Sequence, residues 1–222
     1  AEEMSSTLQR TARTLYVKEA ADFATALADL SGRFFAYPPT AGVTIFIDNN
    51  CGPTIHAMPS LEEGDVIVTN DVYRSKGLCT HLPDIHMIRP YFLKGKLVCY
   101  GWCFIHSTDV GGRVPSSISP SNHEIFQEGL IIPPMKIVKK GIFNDDFERV
   151  FTANCRTPEA NMGDIKAMLG SLHTGQERVN DIIGRHGLGV FMTCQEDLQA
   201  YSEAKARAVI SRVPDGDYAF WD

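Results

Sequence analysis

No apolar run in the 222 residues approaches the ~18–20 needed to cross a bilayer. The start has neither the basic nor the apolar region of a signal peptide. Basic residues are in deficit: Lys plus Arg number 21 against 27 Asp plus Glu, a net charge of −6. That balance argues against nucleic acid, which needs a concentrated basic face. There is no Cys-x-x-Cys pair, no Gly-x-x-x-x-Gly-Lys-Ser/Thr phosphate loop and no Gly-x-Ser-x-Gly elbow around Ser116, Ser117 or Ser119. A zinc ribbon, a nucleotide site and a serine-hydrolase elbow are thereby excluded. Six cysteines (Cys51, Cys79, Cys99, Cys103, Cys155, Cys194) are too few in a chain this long for a disulfide framework. Reduced thiols and a cytoplasmic setting are expected. No repeat or low-complexity tract occurs.

What remains is a globular composition, 44% hydrophobic and 22% charged. Met4, Leu8 and Leu15 space one amphipathic helix over 1–17. Phe23 to Leu30 and Arg33 to Tyr37 read as a hairpin across Ser31-Gly32. Val43–Ile47 and Val66–Val68 are short β-branched runs. Asp84–Leu93 and Leu97–His106 are two longer strands joined by Lys94-Gly95-Lys96. Cys99 and Cys103, four apart on one strand, would share a face as small buried hydrophobes. Residues 107–122, rich in Gly, Ser and Pro, form a long loop that reads as mobile, with a short helix near Asn122–Glu128. Phe147, Val150 and Phe151 begin a helical region. Pro158 opens a long helix bearing Met162, Ile165, Met168, Leu172, Val179 and Ile183, and a third helix follows Gly187. Pro214-Asp215-Gly216-Asp217 turns into a closing strand. The fold class is α+β: a strand-rich part (1–143) with antiparallel hairpins, a helical part (144–213) of long antiparallel helices, and the start of a strand (214–222). The chain begins at Ala1 and ends in Phe220-Trp221-Asp222, which reads as a piece cut from a longer polypeptide.

Of seven histidines, His173 and His186 fall on the long helix and are expected to face solvent. Two His-x-x-Asp spacings stand out: His81-Leu82-Pro83-Asp84 and His106-Ser107-Thr108-Asp109. Pro83 forbids a helix interior, so the first is a turn entering a strand. The hairpin would set Asp84 at the start of one strand beside His106 at the end of its partner. Two imidazoles and a carboxylate with open positions suit a first-row divalent metal. The spacing alone is no excess over chance, and on pattern alone turn-stabilising Asp residues beside ordinary histidines are the stronger explanation. His86 shares a strand face with Asp84 and is a rival ligand. Glu124 and Glu128 share a helix face, with solvation the plain reading.

The motifs Gly64-Asp65-Val66-Ile67-Val68-Thr69-Asn70-Asp71, Thr80-His81-Leu82-Pro83-Asp84, Asp109-Val110-Gly111-Gly112, Glu124-Ile125-Phe126-Gln127-Glu128-Gly129-Leu130, Ile132-Pro133-Pro134 and Ala153-Asn154-Cys155-Arg156-Thr157-Pro158 resemble, in order, the hydantoinase B/oxoprolinase family. The resemblance implies that residues 1–222 are the N-terminal portion of a longer hydantoinase B-type subunit, the metal-bearing part of an ATP-dependent hydrolase of cyclic amides such as hydantoins, 5-oxoproline or lactams. It also implies a separate hydantoinase A-type subunit that binds ATP and Mg, hence a hetero-oligomer. Ketone carboxylases of the acetone and acetophenone type are relatives, which makes a carboxylase subunit the alternative. A third reading is a non-enzymatic assembly surface. The family pattern selects His81, Asp84 and His106 as ligands of a divalent ion (Mn, Zn or Fe), choosing His106 over His86. It makes Asp109, Glu124 and Glu128 candidates for supporting or catalytic roles, and Asn154 and Arg156 candidates for a substrate carboxylate or phosphorylated intermediate, with capping of the next helix an equal alternative for these two. Asp109 would orient His106, or merely form the turn before Gly111. Many members have a second His where this chain has Ser107. No nucleotide site is expected in this chain.

Overall fold

The computed structural model describes residues 1–38 and 49–221. Its strands are β1 (Phe23–Ala28), β2 (Phe34–Ala36), β3 (Val66–Thr69), β4 (Asp84–Leu93), β5 (Lys96–His106), β6 (Met135–Lys139) and β7 (Ile142–Phe143). Its helices are α1 (Glu2–Thr11), α2 (Leu15–Lys18), α3 (Gly52–His56), α4 (Asp145–Asn154), α5 (Pro158–His186) and α6 (Leu188–Ile210). The expected strand at Val43–Ile47 lies outside the described residues. The seven strands form one antiparallel sheet in the order β2-β1-β5-β4-β3-β6-β7. Strands first and long helices after make the fold α+β, as the composition of the two halves implied. No described helix is long and apolar enough to cross a membrane.

Strand alternation divides the core. Met87, Tyr91, Cys99, Cys103 and Ile105 face the helices, where they meet Met4, Leu8, Ile165, Met168 and Leu172. Ile88, Trp102 and Phe104 face the other side with Phe34, Ile55 and Leu78. Cys99 and Cys103 are fully buried free thiols on the helix side, and burial pushes both well above the ordinary thiol range. On that side Tyr91 runs from the sheet into α5, its hydroxyl donating to the Leu172 carbonyl at 2.7 Å. Gly101 and Gly175 leave room for that ring: a Cβ on either would collide with the phenol oxygen.

The β4–β5 hairpin turns through Lys94 (φ 52°) and Gly95 (φ 76°), the paired left-handed conformation of a tight hairpin loop. Near the turn Phe92 pairs with Leu97. Beyond it Tyr91 pairs with Cys99, so Val98 is an extra residue in β5. This bulge sets the far end of the hairpin. Without it Asp84 would face Ile105; with it Asp84 faces His106.

Three local expectations change. The helix foreseen over 1–17 is broken at Ala12 (ψ 160°) into α1 and α2. The cause is tertiary: the buried carboxylate of Asp164 on α5 accepts from the Arg13 amide (2.5 Å), the Thr14 amide (3.2 Å) and the Thr14 hydroxyl (2.5 Å). Bonding to Asp164 draws the Arg13 and Thr14 amides out of the helical ladder. Residues 214–221 form no strand and are exposed. The segment near Asn122–Glu128 is a single 3₁₀ turn, Ile125–Gln127.

Candidate metal centre

The end of the β4–β5 hairpin gathers three donors. Asp84 and His106 are directly opposed, and such pairs bring side chains within about 5 Å. His81 returns to the same point over the Leu82-Pro83 turn, whose closure is the Asp84 amide donating to the His81 carbonyl at 3.2 Å. Asp84 Oδ1 lies 2.9 Å from His81 Nε2 and 3.3 Å from His106 Nδ1. One ligand atom from each of the three residues lies within 4.8 Å of the others. Metal–nitrogen and metal–oxygen bonds of about 2.0–2.2 Å put neighbouring ligand atoms about 3 Å apart, so the donor set fits a divalent ion. Asp84 and His106 are buried, and the His81 side chain keeps 31% of its surface open. The cluster is therefore reachable from one side.

Burial opposes ionisation of Asp84, but the hydrogen bonds from His106 and His81 outweigh it and hold the carboxyl well below its ordinary range. Burial likewise works against protonated His81, yet Asp84 more than compensates and raises the imidazole. An ionised carboxylate with two nitrogen bases on it is the arrangement a cation would replace protons in.

Supporting groups surround the triad. Thr80 Oγ1 donates to the other Asp84 oxygen at 2.6 Å. Glu128 accepts the Leu82 amide at 2.9 Å and so secures the turn between His81 and Asp84. Asp22 comes within 3.8 Å of His106 Nδ1; burial first, then Asp84, raises its carboxyl despite the opposing pull of His106 and His81. The Tyr16 ring packs at 4.9 Å on His106 and walls a groove with Arg13, Leu15, Thr108, Thr157 and Ala160. Sequence reasoning missed Asp22, Thr80 and Tyr16. Thr80 sits beside the His-x-x-Asp motif, but Asp22 and Tyr16 are recognisable only once β1 pairs with β5 and α2 is turned by Asp164.

The other named residues fall as follows. His86 lies on the face of Asp84 but deeper, stacked on Phe104 and accepting from Trp102 Nε1 at 3.2 Å. Full burial lowers it to about 4, so it is neutral, and it stands outside the cluster. Asp109 does not hold His106. Its oxygens accept from the Gly111, Ser116 and Arg156 amides and from the Arg156 guanidinium. Arg156 also donates to the carbonyls of Gly111, Val114 and Gly112, so its guanidinium is committed to the loop. Asn154 caps back onto the Val150 carbonyl. Glu124 is exposed and closes the 3₁₀ turn in a reciprocal cap with Gln127. His173 and His186 face solvent.

The family described as hydantoinase B/oxoprolinase matches residues 1–222. An uncharacterised protein of Methanocaldococcus jannaschii is 35% identical across 84% of this chain and 34% of its own length. The caprolactamase subunit beta of Pseudomonas jessenii is 31% identical across 98% of this chain and 37% of its own. 5-Oxoprolinase 1 of Arabidopsis thaliana is 31% identical across 96% of this chain and 18% of its own. The crystal structure of the ATP-dependent caprolactamase from Pseudomonas jessenii superimposes with a TM-score of 0.82 over 96% of this chain. Acetone carboxylase in its nucleotide-free form gives 0.79 over 89%, at 18% identity, a likeness of fold. The chain thus spans about a third of the first two relatives and less than a fifth of the third. The motif order, the fold and the match over its whole length place this chain in the hydantoinase B/oxoprolinase family.

Proposed function

We propose that this chain is the metal-bearing region of an ATP-dependent cyclic amide hydrolase. One observation carries the reading: His81, Asp84 and His106 converge within 4.8 Å at the open end of a hairpin, in a chain 31% identical to a caprolactamase beta subunit. His81 Nε2, Asp84 Oδ1 and His106 Nδ1 would hold a divalent ion, Mn, Zn or Fe. Such an ion supplies Lewis acidity or brings the pKa of a bound water to about 7. Thr80 and Glu128 fix the carboxylate and the turn that present those atoms. Asp22, its proton affinity raised, is placed to take a proton at Oδ2 on the solvent side of His106. Tyr16 and Leu15 shape the wall along which an apolar ring would approach.

ATP and its Mg belong, in this reading, to a hydantoinase A-type partner subunit, with the chain working in a hetero-oligomer on a small molecule. The sequence offers no phosphate loop, and the caprolactamase relative is named as a subunit. The second reading is a subunit of a ketone carboxylase with the same triad, favoured by the acetone carboxylase fold. Identity of 31% against 18% favours the hydrolase. The deciding experiment pairs metal analysis with two assays on the complete enzyme. ATP-dependent opening of caprolactam, hydantoin or 5-oxoproline, with one metal per site, is the expected result. Bicarbonate-dependent carboxylation of a ketone would transfer the reading to the carboxylase. Metal-free protein with full hydrolase activity would overturn the role given to the triad.

A further inference from the structure

We propose that Arg156 is a positioning residue of the metal centre, acting through Asp109 and the strap of residues 107–130 rather than through substrate. This rests on the metal-bearing reading above. The strap leaves β5 at His106 and returns at Glu128, which accepts the amide of Leu82 between His81 and Asp84. Its first residue, Ser107, donates its amide to the Pro83 carbonyl at 2.8 Å. Both of its ends therefore hold the turn and strand that carry the donors.

Its middle is held from elsewhere. Arg156 lies between α4 and α5, far from His106 in sequence. It reaches Asp109 Oδ2 at 2.7 Å, Gly112 O at 2.7 Å, Val114 O at 3.0 Å and Gly111 O at 3.1 Å, and its amide reaches Asp109 Oδ1 at 3.1 Å. A planar guanidinium with several fixed donors can bridge a carboxylate and three carbonyls at once; an ammonium cannot. The loop so held is strained. Ser116 and Ser117 have φ of 65° and 66°, a left-handed conformation that costs a non-glycine residue on the order of 1 kcal/mol each. Ser117 Oγ links the Val110 amide to the Gly111 carbonyl, and Arg113 and Val110 pair with Gln127 and Leu130 across the strap. The clamp thus passes from Arg156 to Asp109 by hydrogen bonds, along the chain to Val110, across to Leu130 by its amide, and on to the His81–Asp84 turn through the chain to Glu128 and through Asn70 Nδ2, which donates to both the Leu130 and Leu82 carbonyls. A guanidinium bound in this way has little left for a substrate anion, although 41% of the side chain is exposed.

Amide hydrogen exchange on the complete, metal-free protein tests the clamp. In Arg156→Ala the Leu82 and Ser107 amides should exchange at least tenfold faster, while Met87 and Cys103 at the middle of β4–β5 stay unchanged. Arg156→Lys keeps the charge and the fold and should give a smaller acceleration at the same two amides. Affinity for Mn²⁺, measured by chelator competition, should weaken about 10–100-fold in Arg156→Ala, as for outer-sphere partners of metal ligands. Faster exchange confined to residues 111–117, with Leu82 and Ser107 as in the parent, overturns the proposal. A parent protein that binds no Mn²⁺ overturns the metal reading alone, because the exchange result is obtained without metal.

Discussion

Replacing Asp164 should separate two consequences of one buried carboxylate. Asp164 is fully buried and accepts three hydrogen bonds, from the Arg13 amide and from the amide and hydroxyl of Thr14. Thr14 is itself buried, so in Asp164→Ala its amide and hydroxyl lose their partner away from water. Each such orphaned group costs about 1–3 kcal/mol. Arg13 is exposed and recovers water, so its contribution is small. The expected loss is about 3–5 kcal/mol for alanine. Asparagine keeps one carbonyl acceptor but not the charge, and about 1–2 kcal/mol is expected. Urea unfolding of both variants measures this, read as midpoint shifts at constant slope. The second consequence is functional. The same contacts break the first helix at Ala12 and aim α2 so that Tyr16 meets His106. With the carboxylate gone, residues 12–14 can rejoin the helix, and Tyr16 should leave the imidazole. A His106 ring resonance unchanged between parent and Asp164→Ala, or a stability loss under about 0.5 kcal/mol, would refute the claim that this carboxylate bends the chain.

Three further outcomes are expected. His81→Ala and His106→Ala should each lose bound metal in metal analysis, whereas His86→Ala should retain it and instead lose stability through its core contacts with Trp102 and Phe104. Gly101→Ala should cost about 1–3 kcal/mol in denaturant titration, because the new methyl meets the Tyr91 phenol that Leu172 holds in place. Asp109→Asn should be less stable than the parent by about 2–3 kcal/mol at pH 7, from the charge-assisted bonds it weakens. Burial works against the Asp109 carboxylate, but the Arg156 and Gly111 bonds depress its pKa overall. Its stabilisation is therefore full above the ordinary aspartate value of about 4 and is lost as pH falls through the depressed one. The gap between variant and parent should close on acidification, and a gap independent of pH would contradict it.

Much of this fold was legible because local and global signals agree. The β4–β5 hairpin follows from two apolar strands around Lys94-Gly95, and α5 from its apolar stripe between Pro158 and Gly187. Where the reading erred, a distant residue overrode the local pattern. Nothing between Met4 and Val17 announces a break, because its cause sits on α5 at Asp164. The 107–122 segment was rightly irregular, but its glycines and serines read as mobility. The structure has them pinned by an aspartate three residues after His106 and an arginine in another element.

The candidate site divides along the same line. His81 and Asp84 lie on one turn, and His106 ends the neighbouring strand, so the sequence could bring the three together on hairpin logic alone. It could not choose between His86 and His106. Both alternate onto the correct face, and the choice depends on register, which the single extra residue Val98 decides. That residue carries no chemistry of its own, yet it moves the partner of Asp84 from an isoleucine to an imidazole. The identity of the candidate donors is therefore local, whereas their placement depends on residues outside the motif: a bulge near the hairpin turn, a threonine next to His81, a glutamate 46 residues from the Leu82 amide it accepts and, in the proposal above, an arginine between two helices. Substitutions at those supporting positions should disturb the site while leaving all three donors in place, a class of defect that motif inspection passes over.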